Sequence, residues 1–319
     1  MISVVKGYGS YLPERIVKNS ELEKTLDTND AWITERTGIT QRHIAADTEM
    51  TSHLGTKAAQ KALALTGLTP DDIDLVIVAT STPDNTMPST ATKIQHQLGM
   101  TRGAAFDVNA ACSGFVYGLT IADNFIRTGS ARRALVIGAE VMSRILDWND
   151  RSTCILFGDG AGAFILEAAP EAEKRGILLA KICSDGQYYD ILNTTGGVSA
   201  SKMAGFITMN GKEVFRHAVS KMAEVVSVSL TELSLTAHDI DWVIPHQANV
   251  RILQSVAKKL NLDDGQLIST VAIHANTSAA SIPLALCEAA SAGKIKPGQL
   301  LVMPALGSGL TWGTCIIRW

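Results

Sequence analysis

LTPDDIDLVI (Leu68–Ile77) and LTAHDIDWVI (Leu235–Ile244) are one ten-residue pattern written twice, Leu-Thr-x-x-Asp-Ile-Asp-x-Val-Ile, at a spacing of 235 − 68 = 167 residues. Each copy ends in an apolar run of the kind that forms a strand buried on both faces. The first continues VATSTPD and the second PHQAN, so the copies share a scaffold and differ in what they carry beyond it.

Working outward, each copy sits in the same order of elements. In the first half SHLGTKAAQKALALTG (Ser52–Gly67) has helical apolar spacing and a closing glycine, and Asp74–Thr80 reads as a strand. TATKIQHQLGM reads as helix, AAFDVNAA as strand, SGFVYGLTIADNFIRTG as helix, and RALVIGAEV and GAGAFILEAA as strands. In the second half SKMAEVVSVSLTEL, VRILQSVAKKL and TSAASIPLALCEAASAG read as helices, and DWVIPHQ, LISTVAIH, QLLVMPAL and TWGTCIIRW as strands. The pattern is α/β, with a first half over 1–172 and a second over 173–319. Matching the helix-ending Gly129 with Gly293, 293 − 129 = 164 residues apart, sets Cys112 against Asn276 across the repeat.

Composition narrows the function. A net charge of −3 with no long run of either sign argues against nucleic acid and against a polybasic membrane patch. No apolar run approaches the ~20 residues of a membrane span, and the opening MISVVKGYGSYLPERIV does not read as a signal peptide, so a cytoplasmic protein is expected. Five cysteines, odd in number and without a CxxC pair, make disulfides and metal ligation poor readings.

Cys112, in NAACSGFVYGL, follows a buried strand and opens a helix, where unpaired N–H groups and the helix dipole favour a thiolate. Its own N–H can stabilise an oxyanion formed by attack on it. The alternative is a buried structural cysteine. His246 ends a strand in VIPHQAN, the place where ligands gather in open α/β sheets, although many histidines there are structural. Asn276, in IHANTSAAS, suits a helix N-cap as well as a site. If the halves face each other across a pseudo-twofold, the three converge.

AACSGF, PHQAN and NTSAASIP, with NDAWITERTGI (Asn29–Ile39), FGDGAGA (Phe157–Ala163) and GSGLTWG (Gly307–Gly313), resemble β-ketoacyl-acyl-carrier-protein synthase III along the whole chain. The resemblance implies the thiolase-like fold, two pseudo-symmetric βαβαβαββ halves in five αβαβα layers. It also implies a decarboxylating condensation of a short acyl-CoA, acetyl-CoA first, with malonyl-acyl-carrier protein. In that reading Cys112, His246 and Asn276 are catalytic, and the turn at Ser308 helps Cys112 receive the oxyanion. Coenzyme A would meet Thr28, Trp32, Arg36, Arg151, Gly211, Phe215 and Asn249, as a substrate rather than a bound cofactor. The acyl pocket would use Met87 (across a homodimer interface), Met142, Phe157, Ile191 and Leu306; Arg216, Arg251, Lys258 and Lys259 would dock the carrier protein. Met87 and Leu306 stand where aromatic residues are common in the family, and HANTS replaces the commoner HGNTS, leaving longer or branched primers open. A cysteine hydrolase and a silent coenzyme-binding partner are the rival readings.

Overall fold

The structure is a computed structural model that describes residues 1–263 and 265–319. The repeated decapeptide explains itself atom by atom. In each copy the first aspartate closes a 3-10 turn: the Thr69 N–H and hydroxyl donate to Asp72 at 2.8 and 2.7 Å, and those of Thr236 to Asp239 at 2.7 and 2.8 Å. The second aspartate clips the next strand, Asp74 accepting from the Arg133 N–H (3.0 Å) and Asp241 from the Leu300 N–H (2.7 Å). The Ile and Val between and after them are buried.

Two sheets follow. One is five-stranded, built from β1 (Ile2–Tyr11), β2 (Leu75–Ala79), β3 (Ala104–Val108), β4 (Arg133–Glu140) and β5 (Gly160–Ala169) in the order β1-β5-β4-β2-β3. The other is four-stranded: β6 (Gly176–Ser184), β7 (Trp242–Val243), β8 (Leu300–Gly307) and β9 (Thr311–Arg318) in the order β7-β8-β9-β6. In both sheets parallel pairing joins the strand of the decapeptide to the strand its aspartate clips, β2 to β4 and β7 to β8.

Helices α1 (Thr51–Thr66) and α2 (Thr90–Gln97) cover the outer face of the first sheet, and α4 (Gly211–Glu232) and α5 (Val250–Lys259) that of the second. Between the sheets lie α3 (Gly114–Arg127) and α6 (Ser281–Ser291), whose apolar residues join both inner faces in one core. This is the thiolase-like five-layer arrangement. The interior positions of α3 explain its small residues: a Cβ on Gly118 would come within 2.9 Å of Val136.

Two sequence expectations are corrected. LISTVAIH is not a strand: Leu267 makes a single bridge to Val243, and Val271–His274 is a short helix. Its register sets it where β3 stands in the first half, and the chain there turns back toward the site instead of lengthening the sheet. The pairing of Cys112 with Asn276 also fails. The 3-10 turns Ala111–Ser113 and Ser278–Ala280 match at 167 residues, as do the starts of α3 and α6 and the left-handed residues Ala111 (φ 45°) and Ser278 (φ 49°). The mate of Cys112 is thus Ala279, and the mate of Asn276 is Asn109. Both asparagines make the same bond, Asn109 Oδ1 accepting from the Ala111 N–H at 3.2 Å and Asn276 Oδ1 from the Ser278 N–H at 2.9 Å. The 164-residue spacing arises because α3 runs a turn further than α6 before its glycine.

Candidate active site

Each elbow packs on the other half's sheet: Ala111–Ser113 against β8, Ser278–Ala280 against β4. The approach requires glycine at both places. A Cβ on Gly307 would lie 2.7 Å from the Cys112 nitrogen, and one on Gly138 would lie 2.3 Å from the Ala279 carbonyl oxygen. The nucleophile's peptide is therefore held between the halves.

Cys112, His246 and Asn276 open onto one cavity of 140 Å³. Cys112 also borders a wider cavity of 410 Å³ lined by Met142, Ile145, Phe157 and the turn Ser308–Gly309. The thiolate expected from the helix position is not the resting form. Burial pushes the Cys112 thiol up to about 12; Ser278 and the Cys112 N–H act downward, Glu140 upward, and the buried setting outweighs the elbow's dipoles.

His246 follows β7, its N–H donating to the Pro304 carbonyl at 2.9 Å. Its Nδ1 lies 2.8 Å from the Ser281 hydroxyl, whose oxygen also accepts the Gln247 N–H at 3.3 Å. A hydroxyl that accepts from Gln247 and donates to Nδ1 leaves the ring proton on Nε2, a donor for the cavity. Burial lowers the imidazole to about 3, so it stays neutral. Asn276 is fixed likewise: its N–H donates to the Leu156 carbonyl at 2.9 Å and its side-chain oxygen is taken by Ser278, which frees the amide NH2 to donate. The site thus sets a buried thiol opposite two neutral N–H donors, an arrangement that favours an oxyanion over a cation.

Comparison with known proteins agrees with this chemistry. The model of 3-oxoacyl-[acyl-carrier-protein] synthase III matches residues 106–186, and that of its C-terminal region matches 230–319. A β-ketoacyl-[acyl-carrier-protein] synthase III of Paramagnetospirillum magneticum is 56% identical over 319 residues, 99% of this chain and 98% of that one. One from Rhodospirillum centenum is 54% identical over 320 residues, 99% of both chains. The crystal structure of the Aquifex aeolicus 3-oxoacyl-[acyl-carrier-protein] synthase III superposes with a TM-score of 0.95 at 44% identity, covering 99% of this chain and 100% of the other. The chain belongs to the β-ketoacyl-acyl-carrier-protein synthase III family. It is a condensing acyltransferase of fatty-acid biosynthesis.

The positions that synthase III resemblance assigns to ligands fall in three groups. Gly211, Phe215 and Asn249 line the 140 Å³ cavity, Asn249 also capping α5 by accepting the Ile252 N–H at 3.0 Å. At the surface the guanidinium carbons of Arg36 and Arg151 stand 4.7 and 5.2 Å from the Trp32 ring centroid. Thr28 lies close by in sequence, its hydroxyl buried and without a hydrogen-bond partner among the described residues. Arg216, Arg251, Lys258 and Lys259 are exposed on the neighbouring helices α4 and α5. Arg216 pairs with Glu213 at 2.6 Å, Arg251 reaches the Glu35 carbonyl at 3.4 Å, and Lys259 the Ser220 hydroxyl at 3.3 Å.

Of the expected acyl-pocket residues, Met142 and Phe157 line the wider cavity and Leu306 the narrower one. Ile191 borders neither; it packs on the core under α4. Met87 is 82% exposed and lines neither cavity of its own chain. The Ser308 hydroxyl donates to the Leu192 carbonyl, so only the backbone of that turn is free to face an oxyanion.

Ser281 and Gly307 were not singled out by sequence reasoning. Ser281 looks like any small residue in a helix start, whereas Gly307 and Gly138 sit at strand ends where a glycine signals close backbone approach. Among the described residues there is no His, Cys, Asp and Glu cluster able to hold a metal, and no helix is long and apolar enough to cross a membrane.

Proposed function

We propose that Cys112 carries the acyl group from an acyl-CoA and that His246 and Asn276 together activate malonyl-acyl-carrier protein. In the first stage Cys112 sulfur attacks the thioester carbonyl, the oxyanion is received by the Cys112 N–H and a backbone N–H of the Leu306–Gly309 turn, and coenzyme A leaves. In the second, His246 Nε2–H and the Asn276 amide donate to the malonyl thioester oxygen. Loss of carbon dioxide puts an enolate charge there, and its carbon attacks the acyl-cysteine. No strong base is needed to make the nucleophilic carbon, which fits an imidazole that stays neutral.

The observation that carries this reading is the pair of fixed donors, each with its other polar atom already occupied by a serine. The Trp32–Arg36–Arg151 stack at the surface supports adenine binding through stacking and cation–π attraction. The cations of α4 and α5 support docking of an acidic carrier protein. The open edge of β3 and the exposed Met87 support a homodimer in which Met87 enters the partner's acyl pocket. The coenzyme is consumed as substrate, and the cytoplasm is the compartment of such a reaction. The 410 Å³ cavity beside Cys112 also admits primers longer than acetyl.

The test is labelling with radioactive acetyl-CoA, and then butyryl- and isobutyryl-CoA, followed by malonyl-carrier protein. Label on Cys112 that passes into a C–C product supports the synthase; label released as free acid would favour a hydrolase. Cys112→Ser should abolish labelling, whereas His246→Ala and Asn276→Ala should keep it and lose decarboxylation. Variants that lose both together would sink the division of roles.

A further inference from the structure

Glu140, at the end of β4, is fully buried beside the nucleophile, and among the described residues its partners include no cation. The Ser81 N–H donates to both carboxyl oxygens at 3.1 Å, and the Thr80 and Thr82 hydroxyls donate at 3.1 and 2.6 Å. Both hydroxyl oxygens are themselves occupied, Thr80 accepting the Thr82 N–H at 3.0 Å and Thr82 the Val141 N–H at 2.9 Å. Each hydroxyl keeps its proton free to point at Glu140, which accepts on this side.

On the other side stand the two elbow turns, in contact with each other, and the turn of Ser278 also lies on β4. The Ser278 hydroxyl lies near both the Glu140 carboxyl and the Cys112 sulfur, and its single proton favours the ionised form of whichever of the two it faces. Of the groups facing Glu140 — Thr80, Ser81 and Thr82 after β2, with Ser278 and Cys112 on the turns — Cys112 alone titrates. His246 is a poor alternative acceptor, since its Nδ1 is held by Ser281.

We propose that Glu140 takes the proton Cys112 gives up on acylation, through the Ser278 hydroxyl, and returns it when condensation expels the sulfur. As the Cys112 sulfur bonds the acyl carbon, its proton passes to Ser278 and the Ser278 proton to the Glu140 carboxylate. The carbon–sulfur bond to coenzyme A breaks with its electron pair, and that thiolate is protonated by water. When the malonyl-derived carbon displaces the acyl group, the pair returns to Cys112 as thiolate, and neutral Glu140 restores the thiol by the reverse path. Carboxyl and sulfur never both carry charge. Burial also pushes the Glu140 carboxyl upward, which suits a group that must hold a proton for the life of the acyl-enzyme. Glu140 is thus a positioning residue that works through Ser278.

The proposal rests on Cys112 being acylated, so the label is first mapped to the Cys112 peptide of the wild type; label elsewhere would overturn both readings. Rapid-quench acylation by acetyl-CoA is then followed against pH for wild type, Glu140→Gln, Glu140→Asp and Ser278→Ala, alongside malonyl decarboxylation and melting. Glu140→Gln should slow acylation about 100-fold, the scale of a lost general base. Its rate should keep rising at pH values where the wild type has levelled. Glu140→Asp should regain the wild-type profile shape, and Ser278→Ala should behave as Glu140→Gln with decarboxylation retained. If Glu140→Gln does not fold, Ser278→Ala carries the test alone. A wild-type rate and profile in Ser278→Ala, or acylation and decarboxylation falling together throughout the set, would overturn the proposal.

Discussion

Replacing Gly307 with alanine adds one methyl group at the point where the second half touches the nucleophile's peptide. The new Cβ would stand 2.7 Å from the Cys112 nitrogen, 2.8 Å from the Ala110 oxygen and 2.9 Å from the Ser113 nitrogen, against the 3.4 Å at which ordinary contact begins. The shortfall is 3.4 − 2.7 = 0.7 Å. All three atoms are backbone, so no side chain can swing aside, and the elbow or the end of β8 must move by most of that distance. A misplacement of 1 Å at reacting groups costs about 100-fold, so acylation should fall roughly 10- to 100-fold. Overpacking of this kind should also cost about 1–3 kcal/mol of stability. Decarboxylation depends on His246 and Asn276, which the methyl does not touch, and should fall far less. Rapid-quench acylation, a decarboxylation assay and thermal melting give the three readouts. Wild-type acylation in Gly307→Ala would refute the claim that the turn fixes Cys112, and equal losses in both half-reactions would refute its locality.

Other outcomes follow from the same geometry. Burial lowers His246 to about 3 and His274 to about 4, so both are neutral when folded and take up a proton more readily when unfolded. Their contribution to stability is complete above the unfolded value near 6.5 and drains as pH falls toward 4 and 3, by about 1.4 kcal/mol per pH unit for each. Urea melts from pH 7 to 4 should show this slope, shallower in His274→Gln; an identical slope in that variant would refute it. Alkylation of resting Cys112 by iodoacetamide should rise about tenfold per pH unit from pH 7 to 9, because the thiol titrates near 12; a plateau in that range would refute a buried thiol. Trp32→Ala should raise the KM for acyl-CoA about 5- to 30-fold through lost stacking and cation–π contact while leaving malonyl decarboxylation intact. Arg251→Glu should raise the KM for malonyl-carrier protein, more strongly at low salt, with unchanged labelling by acetyl-CoA.

Much of this molecule is legible in its sequence because the repeat constrains it twice. The decapeptide marks a helix-to-strand entry in both halves, and its aspartates proved to have fixed local tasks that only those residue types perform. The motifs around Cys112 and His246 mark strand ends and the one around Asn276 a helix start, and the three converge. What sequence spacing misplaced was the register of the elbow. Glycines that end helices are not tied to the residues that start them, and α3 is a turn longer than α6. The LISTVAIH segment misled for a related reason: its β-branched, apolar run is that of a buried strand, yet beyond the bridge at Leu267 its apolar partners are Ile39, Leu253 and the turn to Asn276. The state of Cys112 was hidden too, because burial is a property of packing from both halves and leaves no local signature.

The reciprocal seating of the elbows carries a consequence for how activity is lost. Neither half contains a complete seat for its own turn, so the reacting sulfur acts as a gauge of the gap between the sheets. A slight loosening of that gap, long before helices melt, should silence acyl transfer while circular dichroism still reports an intact protein. For the same reason, halves expressed separately should regain the reaction only when they reassociate in register.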